Sequence, residues 1–139
     1  MSATGSVEDR LAIRELMESY ADAVVRRSSA DWGATWAEDG TWSLVGKVAQ
    51  GRHNIVALWE ELMANFPFVC QYPTCGGIKV AGNTAAGTWY LLEMCETPDG
   101  KEMLYSGRYD DTYVKGGDGN WRFKSRSYTV LHIQATGKG

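Results

Sequence analysis

Between Ser6 and Arg27 the apolar residues Leu11, Ile13, Leu16, Met17, Tyr20 and Val24 recur at roughly helical spacing. Ser6 stands where an N-cap belongs, and Glu8 and Asp9 place acidic charge in the first turn. The pattern predicts an amphipathic helix ending near Arg27. SSADWGATWAEDG then predicts a short second helix, capped by Ser29 or Asp31, with Trp32 and Trp36 on one side. TWSLVG reads as a strand broken at Gly46. GRHNIVALWEELMANF predicts a third helix with Ile55, Leu58, Trp59, Leu62 and Met63 inward, stopped by Pro67.

After Pro67 the period changes from helical to alternating. FVCQYPTCGGIKV, TAAGTWYLLEMCE, EMLYSGRYDDTYV and NWRFKSRSYTVLHI each suit a strand, and GN, TPDG and KGGDG separate them as turn signals. Helices ahead of strands imply an α+β fold, an antiparallel meander packed on helices. Residues 1–139 are expected to form one domain with an ordered core over about 7–133.

The last hairpin carries aspartate, arginine and tyrosine where a plain core hairpin would carry valine. A two-residue turn at Asp118–Gly119 pairs Tyr113 with Lys124, Asp111 with Arg126 and Tyr109 with Tyr128 on one face. The other face then pairs Val114 with Phe123, Thr112 with Ser125 and Asp110 with Ser127. KGGDGN can instead close a longer loop with a bulge. Three uses of the first face compete. A solvated face would hold an ion pair worth only about 0.2–1 kcal/mol. A nucleic-acid strip of Arg122, Lys124 and Arg126 is opposed by Asp110 and Asp111 beside it. A pocket wall would use the same charges to orient a ligand.

Composition narrows these uses. A formal charge of −3 argues against a duplex-binding footprint, which is normally basic. Six Trp and seven Tyr supply aromatic surface beyond the needs of a small core, suited to a pocket or a subunit interface. Residues 1–7 lack the features of a signal peptide and no apolar run approaches a membrane span, so a cytoplasmic setting without membrane partners is expected. Cys70, Cys75 and Cys95 match neither a redox pair nor a zinc site, and only His53 and His132 add nitrogen ligands. They read as small hydrophobes, with no metal expected.

The phrases DRLAIRELMESYADAV, DWGATWAEDGTWSL, GRHNIVALW and GRYDDTYVKGGDGNWRFKSR resemble the SnoaL-like branch of the nuclear-transport-factor-2-like superfamily, over roughly residues 7–133. The resemblance implies a cone: three N-terminal helices on a strongly curved, mainly antiparallel sheet, with an apolar pocket open at one end. Relatives include polyketide cyclases, scytalone dehydratase, ketosteroid isomerase, bile-acid dehydratase and a hexachlorocyclohexane dehydrochlorinase, while others only bind or dimerise. The enzymes work without a cofactor by placing ionisable side chains in a dry cavity. The resemblance further implies a substrate-binding hydroxyl at Tyr20, an aromatic wall at Trp42 and Tyr109, a carboxyl at Asp111 and a pocket arginine near Arg126. It also implies homodimers formed through the outer sheet face.

The chain departs from its relatives where their acid–base groups stand. The aspartate of helix one and the histidine of the third strand fall at Val25 and near Pro73, and the isomerase base falls near Leu44. Asp22 lies about 200° around the helix from Tyr20, toward solvent. His53 opens helix three, His132 follows the alternation of Arg126 and Tyr128, and at most one of Glu93 and Glu96 faces a cavity. The function expected is a cofactor-independent lyase or isomerase doing proton transfer (elimination, isomerisation or cyclisation) on a small hydrophobic cyclic or aromatic molecule. Tyr20, Asp111, Arg126 and His132 are the catalytic candidates; Trp42, Trp89, Tyr109, Tyr128 and His53 are the binding candidates. The alternative is a non-catalytic binding or dimerisation module of the same fold.

Overall fold

The computed structural model describes residues 3–135. The first helix, α1 (Val7–Arg26), begins as the sequence predicts: the Ser6 hydroxyl accepts the Asp9 N–H at 3.0 Å. It ends where Arg27 turns left-handed at φ 56° and sends its N–H back to the Ala23 and Val24 carbonyls. Ile13, Met17, Tyr20 and Val24 are buried, whereas Leu11 is half exposed and lies off the stripe. Helix α2 (Ser29–Ala34) is capped by Ser28, one residue before the expected Ser29. It stops short of Trp36, because Thr35 already accepts the Phe123 N–H and draws the chain into the sheet.

Trp36 therefore opens strand β1 (Trp36–Leu44). The chain does not simply break at Gly46; it turns there at φ 77° and returns as β2 (Lys47–Gln50), a strand the sequence reading lacks. Only Ala49 of that strand is buried, so it has no alternating apolar signal. Helix α3 (Arg52–Met63) buries Ile55, Trp59 and Met63, with Leu58 and Leu62 partly covered.

Four long strands follow: β3 (Phe68–Ala81), β4 (Thr84–Glu96), β5 (Glu102–Lys115) and β6 (Trp121–Ala135). They form the expected meander in one mixed sheet of order β2-β1-β6-β5-β4-β3. All neighbours are antiparallel except β1 and β6, which run parallel. Helix α1 packs on β3 and β6, while α3 packs on β1 and β2. The side chains enclosed between helices and sheet form one core in which Trp32 stacks on Trp59 at 4.6 Å and meets Trp36 and Trp42. On the opposite sheet face Tyr72, Tyr90, Leu92 and Met94 are exposed. Among the described residues no helix is long and apolar enough to cross a membrane.

Within the meander, three register shifts decide which side chains face inward. In the β5–β6 hairpin, Asp111 opposes Arg126, Tyr109 opposes Tyr128, Thr112 opposes Ser125 and Asp110 opposes Ser127, as the pairing rule predicts. Beyond Thr112 a shift sets Tyr113 opposite Phe123 in place of Lys124, and Val114 opposite Arg122 in place of Phe123. The turn is accordingly the longer one, with Gly116 and Asn120 joined across it by a 2.9 Å hydrogen bond. Phe123 is thereby fully buried, and Lys124 pairs with Asp39 at 2.5 Å. A second shift between Ser106 and Gly107 sets Val130 opposite Gly107 and His132 opposite Ser106. The third lies between Cys75 and Gly77 in the β3–β4 pair and brings Gln71 opposite Glu93.

Candidate functional site

The Asp111–Arg126 pair forms, but not as part of a pocket wall. Arg126 donates from Nε to Asp111 Oδ1 at 2.8 Å and from Nη2 to Oδ2 at 3.0 Å, and neither side chain has any solvent exposure. Trp89 Nε1 donates to the Tyr113 hydroxyl at 3.0 Å, which donates to Asp111 Oδ2 at 2.9 Å. The guanidinium lies 3.7 Å from the Tyr109 ring centroid, 4.1 Å from Phe123 and 4.5 Å from Tyr20. Such a cation is stabilised by ring faces when it is desolvated. Burial pushes the Asp111 carboxyl upward while Arg126 and the Tyr113 hydroxyl pull it down. Burial also works against the Arg126 charge, yet Asp111, Tyr20 and Tyr109 hold the guanidinium further toward its protonated form. Both carboxylate oxygens accept from the guanidinium, so the pair stands ionised.

A cavity of about 270 Å³ adjoins this cluster. Helix α1 contributes Tyr20 and Val24, β1 contributes Trp42 and Leu44, and α3 contributes Trp59, Leu62 and Met63. The sheet adds Val69, Gln71, Leu91, Glu93, Cys95, Tyr105, Tyr109, Tyr128 and Val130. Exposed Val45, in the β1–β2 turn, lies at its edge. Tyr20 and Tyr109 belong to both places: their rings flank Arg126, and their hydroxyls approach each other at 3.3 Å beside the cavity. The Trp42 indole N–H lies near the Tyr109 oxygen without closing a hydrogen bond. Three donors therefore gather at one end of a largely apolar space.

At the β3–β4 side stands the one carboxyl lining this cavity. Gln71 Nε2 donates to Glu93 Oε2 at 2.7 Å across the paired strands. Burial raises the Glu93 carboxyl above its ordinary range, and the Gln71 hydrogen bond opposes that shift. Burial likewise raises the Tyr20, Tyr109 and Tyr128 phenols, and pushes the Cys95 thiol up to about 11. The cavity thus offers one basic carboxylate and several hydroxyls that hold their protons.

The candidates distribute unevenly over this space. Tyr20, Trp42, Tyr109 and Tyr128 line it; Asp111, Arg126 and Trp89 lie behind its wall in the core. His53 is exposed in the first turn of α3. His132 does not follow the alternation of Arg126 and Tyr128, because the Ser106–Gly107 shift turns it opposite Ser106, where it is exposed. Asp22 is exposed and pairs with Arg26, as its helix position predicts. Gln71 and Tyr105 are polar lining residues the sequence reading lacks, and Glu93 appears there only as a choice against Glu96. Cys70, Cys75 and Cys95 are free thiols, and only Cys95 is buried.

Comparison with known proteins places this architecture. An uncharacterized protein of Mycobacterium tuberculosis, Rv2910c, is 27% identical over 134 residues, covering 93% of this chain and 90% of that protein. A scytalone-dehydratase-like protein of Novosphingobium aromaticivorans superposes with a TM-score of 0.85 at 21% identity, over 96% of this chain and 91% of that one. The hexachlorocyclohexane dehydrochlorinase LinA type 3 of Novosphingobium barchaimii gives 0.84 at 18% identity, over 93% and 90%. At these identities the superpositions establish the fold, an α+β arrangement of helices on a six-stranded mixed sheet. Residues 5–127 match the SnoaL-like domain, and the chain belongs to the SnoaL-like family of the nuclear-transport-factor-2-like superfamily.

Proposed function

We propose that this protein is a cofactor-independent lyase or isomerase that moves a proton on a small, largely apolar cyclic molecule. One observation carries the reading: a carboxyl raised by burial, Glu93, shares an apolar cavity with the Tyr20–Tyr109 hydroxyl pair. The relatives' scytalone dehydratase and dehydrochlorinase names agree with chemistry of this kind. The raised carboxylate is a better base than its aqueous counterpart and takes a proton from a carbon beside a carbonyl. Tyr20 and Tyr109 donate hydrogen bonds to the oxygen that gains negative charge. Arg126 does not touch the ligand in this scheme. Its charge acts through the two tyrosine rings and makes both phenols stronger donors, as its downward pull on their pKa values indicates.

Solvent exchange tests this without knowledge of the natural substrate. The protein is incubated with a panel of small cyclic ketones in deuterated water, and deuterium uptake next to the carbonyl is followed by NMR. Wild type is expected to accelerate exchange of at least one ketone, and Glu93→Gln to reduce that rate by about 10²–10⁴-fold. A rate unchanged in Glu93→Gln, or no acceleration across the panel, overturns the catalytic reading and leaves a binding module. Among the described residues, the aspartate–histidine pair that the resemblance implies for relatives is missing from the cavity lining, which favours that second reading.

A further inference from the structure

Within the cavity the amide of Gln71 is half used. Its Nε2 donates to Glu93 at 2.7 Å, while its Oε1 is buried and accepts from no group among the described residues. An ionised carboxylate only accepts, so Glu93 fixes the amide with its NH₂ group toward β4 and its carbonyl oxygen elsewhere. A buried acceptor left without a donor is costly, and native structures rarely keep one without a purpose. The remaining polar groups do not relieve it. Tyr20, Tyr109 and Trp42 cluster at the donor end, and the buried Tyr128 hydroxyl also has no partner. Water can donate to Oε1 in the empty cavity, but a ligand that displaces it must do the same.

We propose that Gln71 is the specificity-determining residue of this cavity: its Oε1 selects ligands that carry a hydroxyl on an otherwise apolar ring. The inference rests on reading the cavity as a ligand site, and it adds the class of molecule admitted. Such a ligand places an acceptor oxygen against Tyr20 and Tyr109 or a donor hydroxyl against Gln71, and the fullest match does both. It is uncharged. The nearby cation, Arg126, is already matched by Asp111 in a bidentate pair, and Glu93 repels an anion.

Binding of 2-naphthol and of 2-methoxynaphthalene, measured by titration calorimetry at about pH 8, well above the ordinary carboxylate range, tests the inference. The methyl ether keeps the ring and the oxygen but cannot donate. Wild type is expected to bind the naphthol about tenfold or more tightly than the ether. In Gln71→Met, which keeps the side-chain length without the acceptor, the difference is expected to fall below about threefold. Gln71→Leu also lacks the acceptor, should lose the difference in the same way, and serves if Gln71→Met fails to fold. Equal binding of the two probes by wild type overturns the inference, as does a difference that survives Gln71→Met or Gln71→Leu. Binding of neither probe overturns it as well. No turnover is needed, so loss of ketone exchange with the preference intact refutes the catalytic reading alone. Exchange that persists without the preference refutes only the role of Gln71.

Discussion

Replacing Arg126 by Met separates a structural charge from a ligand-binding one. Arg126 is fully buried, makes two hydrogen bonds to Asp111 and lies over three aromatic rings. Removing one member of a buried pair leaves the other charge without compensation, at about 3–5 kcal/mol. For a domain of this length, at about 4 °C per kcal/mol, the melting temperature should fall by roughly 12–20 °C. The stranded Asp111 carboxyl is raised by burial, so its neutral form is favoured in the folded variant. The linkage sign follows: stability of Arg126→Met is greatest below the unfolded carboxyl pKa and declines as pH rises through the folded one. Asp111→Asn leaves the guanidinium stranded instead and gains no such relief in acid. The double variant Asp111→Leu with Arg126→Met should return to within about 1–2 kcal/mol of wild type, because an apolar pair of similar volume replaces the ions. Thermal unfolding of the four proteins between pH 4 and pH 8 reads all these terms. An Arg126→Met protein that melts within about 3 °C of wild type but has lost ketone exchange would refute the reasoning, since the guanidinium would then act on the ligand.

Other outcomes follow from the cavity. Glu93 has a raised carboxyl pKa, so its charged form opposes folding above that value and not below the unfolded one. Glu93→Gln should therefore melt above wild type at about pH 8, and that margin should shrink by about pH 5, as shown by scanning calorimetry. Tyr20→Phe removes one donor to the developing oxyanion and should lower the exchange rate by about 10–10³-fold with little change in probe affinity. A Cβ at Gly107 would lie 2.5 Å from Tyr128 Cζ, so Gly107→Ala must displace that ring. It should destabilise by about 1–3 kcal/mol and weaken naphthol binding, both visible in a thermal-shift titration. Trp59→Ala removes a ring stacked on Trp32 and a wall of the cavity, at about 3–5 kcal/mol by thermal unfolding.

Much of this protein is legible along the chain. The helical stripe of Ile13, Met17, Tyr20 and Val24, the Ser6 cap and the four alternating strands are local signals, and local geometry honours them. The Asp111–Arg126 pairing expected from a two-residue turn also forms, because the shift beside Thr112 offsets the longer turn that the chain makes. Trp36 is the exception near the start: a sheet hydrogen bond from Phe123, far along the chain, overrides the helical pattern around it. Strand β2 is hidden because only one of its residues is buried.

The sequence by itself thus determined the order of every element but β2, the family and the opposition of Asp111 to Arg126. Only the tertiary structure decided what those residues face. Counting back from the Gly82–Asn83 turn puts Gln71 opposite Met94; the irregularity between Cys75 and Gly77 moves it opposite Glu93, which the alternation of β4 already turns inward, and so brings the amide onto the candidate acid–base group. The shift at Ser106–Gly107 turns His132 outward by the same mechanism. A single extra residue reverses every side chain beyond it, because a strand repeats every two residues. Likewise, no pattern along β5 and β6 tells that Tyr20, arriving from α1, closes over Arg126 and shuts the ion pair away from the cavity it borders. Depth is set by what packs on top, and that partner lies more than a hundred residues away in sequence.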